Sequence, residues 1–160
     1  MKWSVLMRAA TYAVLFIGLV LVFVPARILS WSGFARPQEI GMAQAGGMVM
    51  AVAGLVIALW CLFVFAKAGQ GTPAPFDPPR RLVTRGPYRL VRNPMYIGAG
   101  LALAGAALFY QSFHLLGYMV LFFLASHLFI VFYEEPVLRR SFGEDYAAYC
   151  RNIRRWLPRP

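Results

Sequence analysis

No charged side chain stands between positions 94 and 133, and none between 41 and 66. Each run exceeds the roughly 20 residues an α-helix needs to cross a bilayer. Within hydrocarbon every backbone N–H and C=O must find a partner inside the protein, which restricts spanning structure to helices and closed barrels. The runs predict an all-α integral membrane protein. Composition adds one exclusion: 60% of the 160 residues are hydrophobic and 14% charged, too apolar for a soluble domain. The length admits a single membrane domain of a few spans.

About four transmembrane helices can be marked, over residues 9–24, 41–66, 95–113 and 115–133. The first is expected to stop at Pro25. The last two are separated only by the region around Ser112 and His114, which makes them an antiparallel helical hairpin. A signal-peptide reading of the first span is open, since Lys2 and Arg8 precede it and Val24-Pro25-Ala26 weakly resembles a cleavage site. The apolar run is long for that, and a retained span is expected.

Charge sets the orientation. Lys2 and Arg8 precede the first span; Lys67, Arg80, Arg81, Arg85, Arg89 and Arg92 separate the second from the third; Arg139, Arg140, Arg151, Arg154, Arg155 and Arg159 follow the fourth. With four spans all three groups fall on one side, leaving Arg27 and Arg36 opposite. The positive-inside rule makes that side cytoplasmic and puts both termini there. The expected location is a bacterial inner membrane, multi-pass, with the active site facing the cytoplasm. The formal charge of +10 therefore reads as loop charge facing anionic lipid, and no nucleic-acid partner is expected. Cys61, Cys150, His114 and His127 have neither disulfide nor zinc spacing, so no metal is expected.

The connection over residues 67–92 holds Gly69, Gly71, Pro73, Pro75, Pro78 and Pro79, which exclude regular helix. Phe76, Leu82, Val83, Tyr88 and Leu90 are interleaved with its charges, predicting a long ordered cytoplasmic loop at the interface. Residues 134–156 read as a C-terminal interfacial amphipathic helix interrupted near Gly143. Its apolar stripe is Phe142, Tyr146, Tyr149, Ile153 and Trp156. Such a helix can serve as an anchor and also roof a site.

The hairpin returns the segment around Arg85 and Gly98 to the surface where Glu134, Glu135 and Pro136 emerge. Carboxylates at a membrane boundary are costly unless they bind something. Glu134 and Glu135 can accept from ribose hydroxyls; Arg89 and Arg92 can hold a carboxylate or phosphate. Tyr88 and Tyr96 offer aromatic faces to an adenine or a cation. Gly98 and Gly100 permit close approach of a ligand or of a helix. S-adenosylmethionine, with an adenosine, a cationic centre and an amino-acid end, would satisfy all of these groups. Singly, each has an ordinary explanation in helix packing, flanking charge or an aromatic belt; their ordered combination is specific. His127 lies seven residues before Glu134 and so on a similar helix face, as a weaker substrate candidate with Tyr146 and Tyr149.

Arg92-Asn93-Pro94-Met95-Tyr96, a hydrophobic hairpin, Tyr133-Glu134-Glu135-Pro136, Phe142-Gly143-Glu144-Asp145-Tyr146-Ala147-Ala148-Tyr149 and Leu157-Pro158 together resemble the isoprenylcysteine carboxyl methyltransferase and phospholipid N-methyltransferase superfamily. The resemblance covers residues 72–158. It implies a helical membrane enzyme that binds S-adenosylmethionine at the cytoplasmic face and methylates a lipophilic acceptor, either a carboxylate or an amine. It assigns the motif positions Arg92, Pro94, Tyr96, Glu134 and Glu135, with Arg92, Glu134 and Glu135 as the catalytic candidates, and it gives Gly98 and Gly100 a weaker correspondence. Asn93 stands where the carboxyl methyltransferases have His, which keeps hydrogen bonding but removes a titrating group. The rival readings are a non-catalytic membrane assembly or lipid-binding protein on the same fold, and an NADPH-binding enzyme like the sterol reductases.

Overall fold

The computed structural model describes residues 14–33, 39–69 and 80–159, with Met7, Thr11 and Pro37. The helices among these residues are, in chain order, α1 (Val14–Trp31), α2 (Met42–Ala68), α3 (Pro94–Tyr110), α4 (Phe113–Phe129) and α5 (Glu135–Asn152). Among the described residues there is no strand. Among the described residues three helical stretches are long and apolar enough to cross a membrane: α1, α2, and the continuous run from Phe113 to Asn152. The fourth apolar helix, α3, has 17 residues and a length of about 25 Å. The chain is an all-helical integral membrane protein. Of the connection after α2, residues 70–79 with their prolines and Phe76 lie outside the described residues, as do Lys2, Arg8 and Arg36.

The first span does not stop at Pro25. A π-helical turn, Ile17–Phe23, runs into it, and the helix continues to Trp31. Val24 donates its N–H to the Leu19 carbonyl, five residues back. In the same register the Val20 carbonyl would need the nitrogen of Pro25, which carries no hydrogen. The hydroxyl of Tyr118 on α4 donates to that carbonyl instead, at 3.1 Å. An orphan created by proline thus becomes a tie between two spans. Tyr118→Phe should cost about 0.5–2 kcal/mol, the range for hydrogen bonds between spans, read as a lowered thermal midpoint in detergent.

Helices α2 and α3 pack backbone to backbone. Gly47 and Gly54 meet Gly105 and Gly98, each pair spaced by one heptad. A methyl group at Gly98 would sit 2.8 Å from the Ala58 nitrogen and 2.8 Å from the Gly54 carbonyl oxygen. Close approach of this kind compensates for the absence of a hydrophobic driving force between helices in lipid. Because the obstructing atoms are backbone, Gly54→Ala should force the helices apart and cost about 1–3 kcal/mol, measurable by the same unfolding assay.

The α3–α4 hairpin closes on two residues. Gln111 takes a left-handed conformation (φ 48°), and the buried Ser112 hydroxyl caps α4 by accepting from the Leu115 N–H. At its far end α4 passes through a second π turn, Ile130–Glu134, into α5. This turn also runs into a proline, Pro136. The expected interruption at Gly143 is present, with φ 51° and ψ −122° inside α5. The terminal helix ends at Asn152, so Ile153 and Trp156 lie in a bent, non-helical segment beyond it.

Candidate active site

Pro94 opens α3 at a position where a missing N–H costs nothing, leaving Arg92 and Asn93 at the mouth of the helix. Before them a short 3-10 turn, Gly86–Arg89, buries Pro87 and Tyr88, with the Tyr88 ring centroid 6.0 Å from that of Phe65 on α2. The Tyr149 hydroxyl donates to the Tyr88 carbonyl at 2.6 Å, fastening α5 over this turn. Tyr146 is buried beside Tyr149.

The two glutamates arrive together and part company. Successive residues of a helix diverge by about 100°, so Glu134 and Glu135 address different partners. Glu135 is buried between two guanidinium groups. Arg155 grips it with both arms, Nε to Oε1 at 2.8 Å and an Nη to Oε2 at 3.0 Å, while Arg92 Nη1 stands 3.1 Å from Oε1. A bidentate, charge-assisted pair of this kind fixes geometry as well as charge, and it holds Arg155 above its ordinary pKa through that hydrogen bond. Arg92 Nη1 also donates to the Cys150 sulfur at 2.7 Å. Arg92 Nε is buried with no acceptor among the described residues.

Glu134 has a neutral partner: the Tyr96 hydroxyl donates to its Oε2 at 3.4 Å. Among the described residues no cation pairs with it. Behind Tyr96 lies an aromatic tier, Phe122 and then Phe16 of the first span, with centroid separations of 6.5 and 6.4 Å. Two unlike carboxylates therefore stand side by side. Glu135 is shared by two guanidinium groups, whereas Glu134 stands beside a phenol with no cation paired to it among the described residues.

Of the residues singled out from sequence, Arg92, Asn93 and Glu135 are linked directly or through Arg155, while Tyr96 bonds to Glu134, which adjoins Glu135 along the chain. Tyr88 and Tyr149 form the neighbouring layer. Arg89 is exposed and takes no part in this network. Gly98 and Gly100 meet protein at the positions expected to admit a ligand: Gly98 faces α2, and a side chain at Gly100 would strike the ring of Phe123 on α4. Both are helix-packing positions. His127 accepts from the Trp156 indole N–H through Nδ1 at 3.3 Å, which places the proton of its neutral ring on Nε2. Sequence reasoning missed Arg155 as a site residue and placed Trp156 on a helix. The signal was the Leu157-Pro158 pair, which brings this tail into the motif. Among the described residues no cluster of His, Cys, Asp or Glu could hold a metal ion.

The family model for phospholipid methyltransferases matches residues 42–145, well over half of the chain and inclusive of both the Arg92–Tyr96 segment and the glutamate pair. The chain belongs to the phospholipid methyltransferase family. No curated protein and no solved structure matches it. For a phospholipid methyltransferase family member the helical membrane architecture is expected, and membership implies a methyltransferase that works on membrane substrates. The match ends before Tyr146, Tyr149, Arg155 and Trp156, so their place around the pair rests on geometry alone.

Proposed function

We propose that the protein methylates an amine-bearing lipid, with S-adenosylmethionine as donor, at the cytoplasmic face of a bacterial inner membrane. One observation carries the choice of an amine: Glu134 is a carboxylate bonded to a neutral phenol, beside Glu135, whose charge two arginines already answer. An amine acceptor must lose a proton to become nucleophilic, and Glu134 is the group suited to take it. A carboxylate acceptor is already nucleophilic and would leave Glu134 without a role as base.

The residues also fit the donor. Arg92 Nε, buried without an acceptor, suits the carboxylate of an amino-acid end, and the Tyr96 face suits a cationic centre. Bound there, S-adenosylmethionine supplies an electrophilic methyl group on a sulfonium. The protein's own work is then to orient both partners and exclude water, as an in-line displacement requires. Glu135, clamped by Arg92 and Arg155, keeps the Arg92 guanidinium in place. The aromatic tier of Tyr96, Phe122 and Phe16 leads from this pair towards the first span, an apolar approach for an acceptor arriving sideways from the bilayer. The positive loops support the cytoplasmic assignment.

Calorimetric titration of the purified protein in nanodiscs, with S-adenosylmethionine in one series and NADPH in another, tests the reading. Saturable binding of S-adenosylmethionine alone is expected, weakened about tenfold or more in Arg92→Ala, which loses charge-assisted bonds. Binding of NADPH alone would instead mark the protein as a reductase.

A further inference from the structure

The chain leaves α5 at Ile153 in extended conformation (φ −119°, ψ 126°) and crosses the candidate site as a segment with no helix of its own. It is fastened to three elements. The Arg154 carbonyl accepts from the Arg92 N–H at 2.9 Å, and the Arg155 carbonyl accepts from the Asn93 side-chain amide at 3.3 Å, both at the mouth of α3. The Arg155 guanidinium takes both oxygens of Glu135 at the start of α5. The Trp156 indole N–H donates to His127 near the end of α4, and its ring stands edge-on to Phe123 with centroids 6.0 Å apart. Beyond this last contact Leu157 is exposed.

We infer that residues 153–159 form a strap that gates the site, with Arg155 and Trp156 as its two fasteners and Ile153 as its hinge. The groups it occupies border Arg92, whose backbone N–H the strap accepts from and whose carboxylate partner it shares. Asn93 is buried with its amide on the strap, and Glu135 has both oxygens on Arg155. A polar ligand reaching either residue must exchange bonds with the strap. The strap holds through a few hydrogen bonds and one bidentate ion pair and not through helix packing, so it can lift without unfolding a helix, at a cost set chiefly by Arg155. Arg155 and Trp156 are positioning residues in this scheme, since they act through Glu135 and His127. The inference rests on the reading of the site as a S-adenosylmethionine pocket.

The test uses the full chain in nanodiscs as wild type, Trp156→Phe, Arg155→Ala and Arg155→Lys. Hydrogen exchange at the Arg92 amide reports strap opening directly, because that N–H is bonded to the Arg154 carbonyl. Stopped-flow mixing with S-adenosylmethionine reports the gate. Trp156→Phe should speed Arg92 exchange about fivefold, the value of one neutral hydrogen bond, and Arg155→Ala about tenfold or more, with Arg155→Lys between wild type and Ala. Association and dissociation of the cofactor should accelerate together, leaving affinity changed far less than either rate. Unaltered Arg92 exchange in both Trp156→Phe and Arg155→Lys, which retain the fold most readily, would overturn the strap. Wild-type binding with association rates unmoved in the variants would overturn the gate alone. Absence of cofactor binding to wild type would overturn the functional reading and the gate with it.

Discussion

Glu135→Ala should destabilise the protein by about 3 kcal/mol and abolish methyl transfer, the largest effect on stability expected of any single residue at the site. The Glu135 side chain is 9% exposed, and its two cations, Arg92 and Arg155, are 12% and 29% exposed. Removing the carboxylate leaves two guanidinium groups facing each other in a partly buried site without an anion. Breaking a buried pair by deleting one partner typically costs about 3–5 kcal/mol. Water reaching the more exposed Arg155 places this case at the lower end. Glu135→Gln keeps one acceptor oxygen and should fall between wild type and Ala in thermal midpoint. An alanine variant as stable as wild type would mean that the two arginines find other acceptors and that Glu135 is not the centre of the cluster.

Glu134→Gln should have the opposite signature, a large loss of rate with little change in stability. The amide oxygen of Gln still accepts from the Tyr96 hydroxyl, so packing and hydrogen bonding survive. What disappears is the proton acceptor, and loss of a general base costs about 10²–10⁴ in kcat. Measured side by side, the thermal midpoint of Glu134→Gln should match wild type while methyl incorporation falls by at least two orders of magnitude. A kcat within a few-fold of wild type would remove Glu134 from the chemistry. The adjacent glutamates would then differ only in structural role.

Much of the architecture follows from charge placement. Two long uncharged runs demand helices in a bilayer, and a turn of two residues between α3 and α4 forces a hairpin. That hairpin must bring Arg92 back towards Glu135, as it does. Pro94 marks the start of α3 because proline is tolerated in a first helical turn. The π turns were not legible. An extra residue in a helical turn changes register without changing composition, so Pro25 looked like a terminus when it is accommodated inside a span. Gly98 and Gly100 were ambiguous for a different reason: glycine permits close approach without specifying what approaches. The partners are Ala58 with Gly54 for one and Phe123 for the other, which spacing along α3 alone does not reveal. Arg155 was hidden among neighbouring arginines. Its bidentate contact with Glu135 depends on the chain leaving α5 at Ile153 and doubling back, a non-local event with no local pattern.

Methyl transfer to a lipid is the role expected of the glutamate pair. Membranes containing the wild-type protein, incubated with methyl-labelled S-adenosylmethionine and extracted with organic solvent, test it most directly when compared with Glu134→Gln membranes. Label is expected in the amine headgroups of the lipid fraction with wild type, and almost none with the variant. Label absent from lipid in both, or present equally in both, would contradict it.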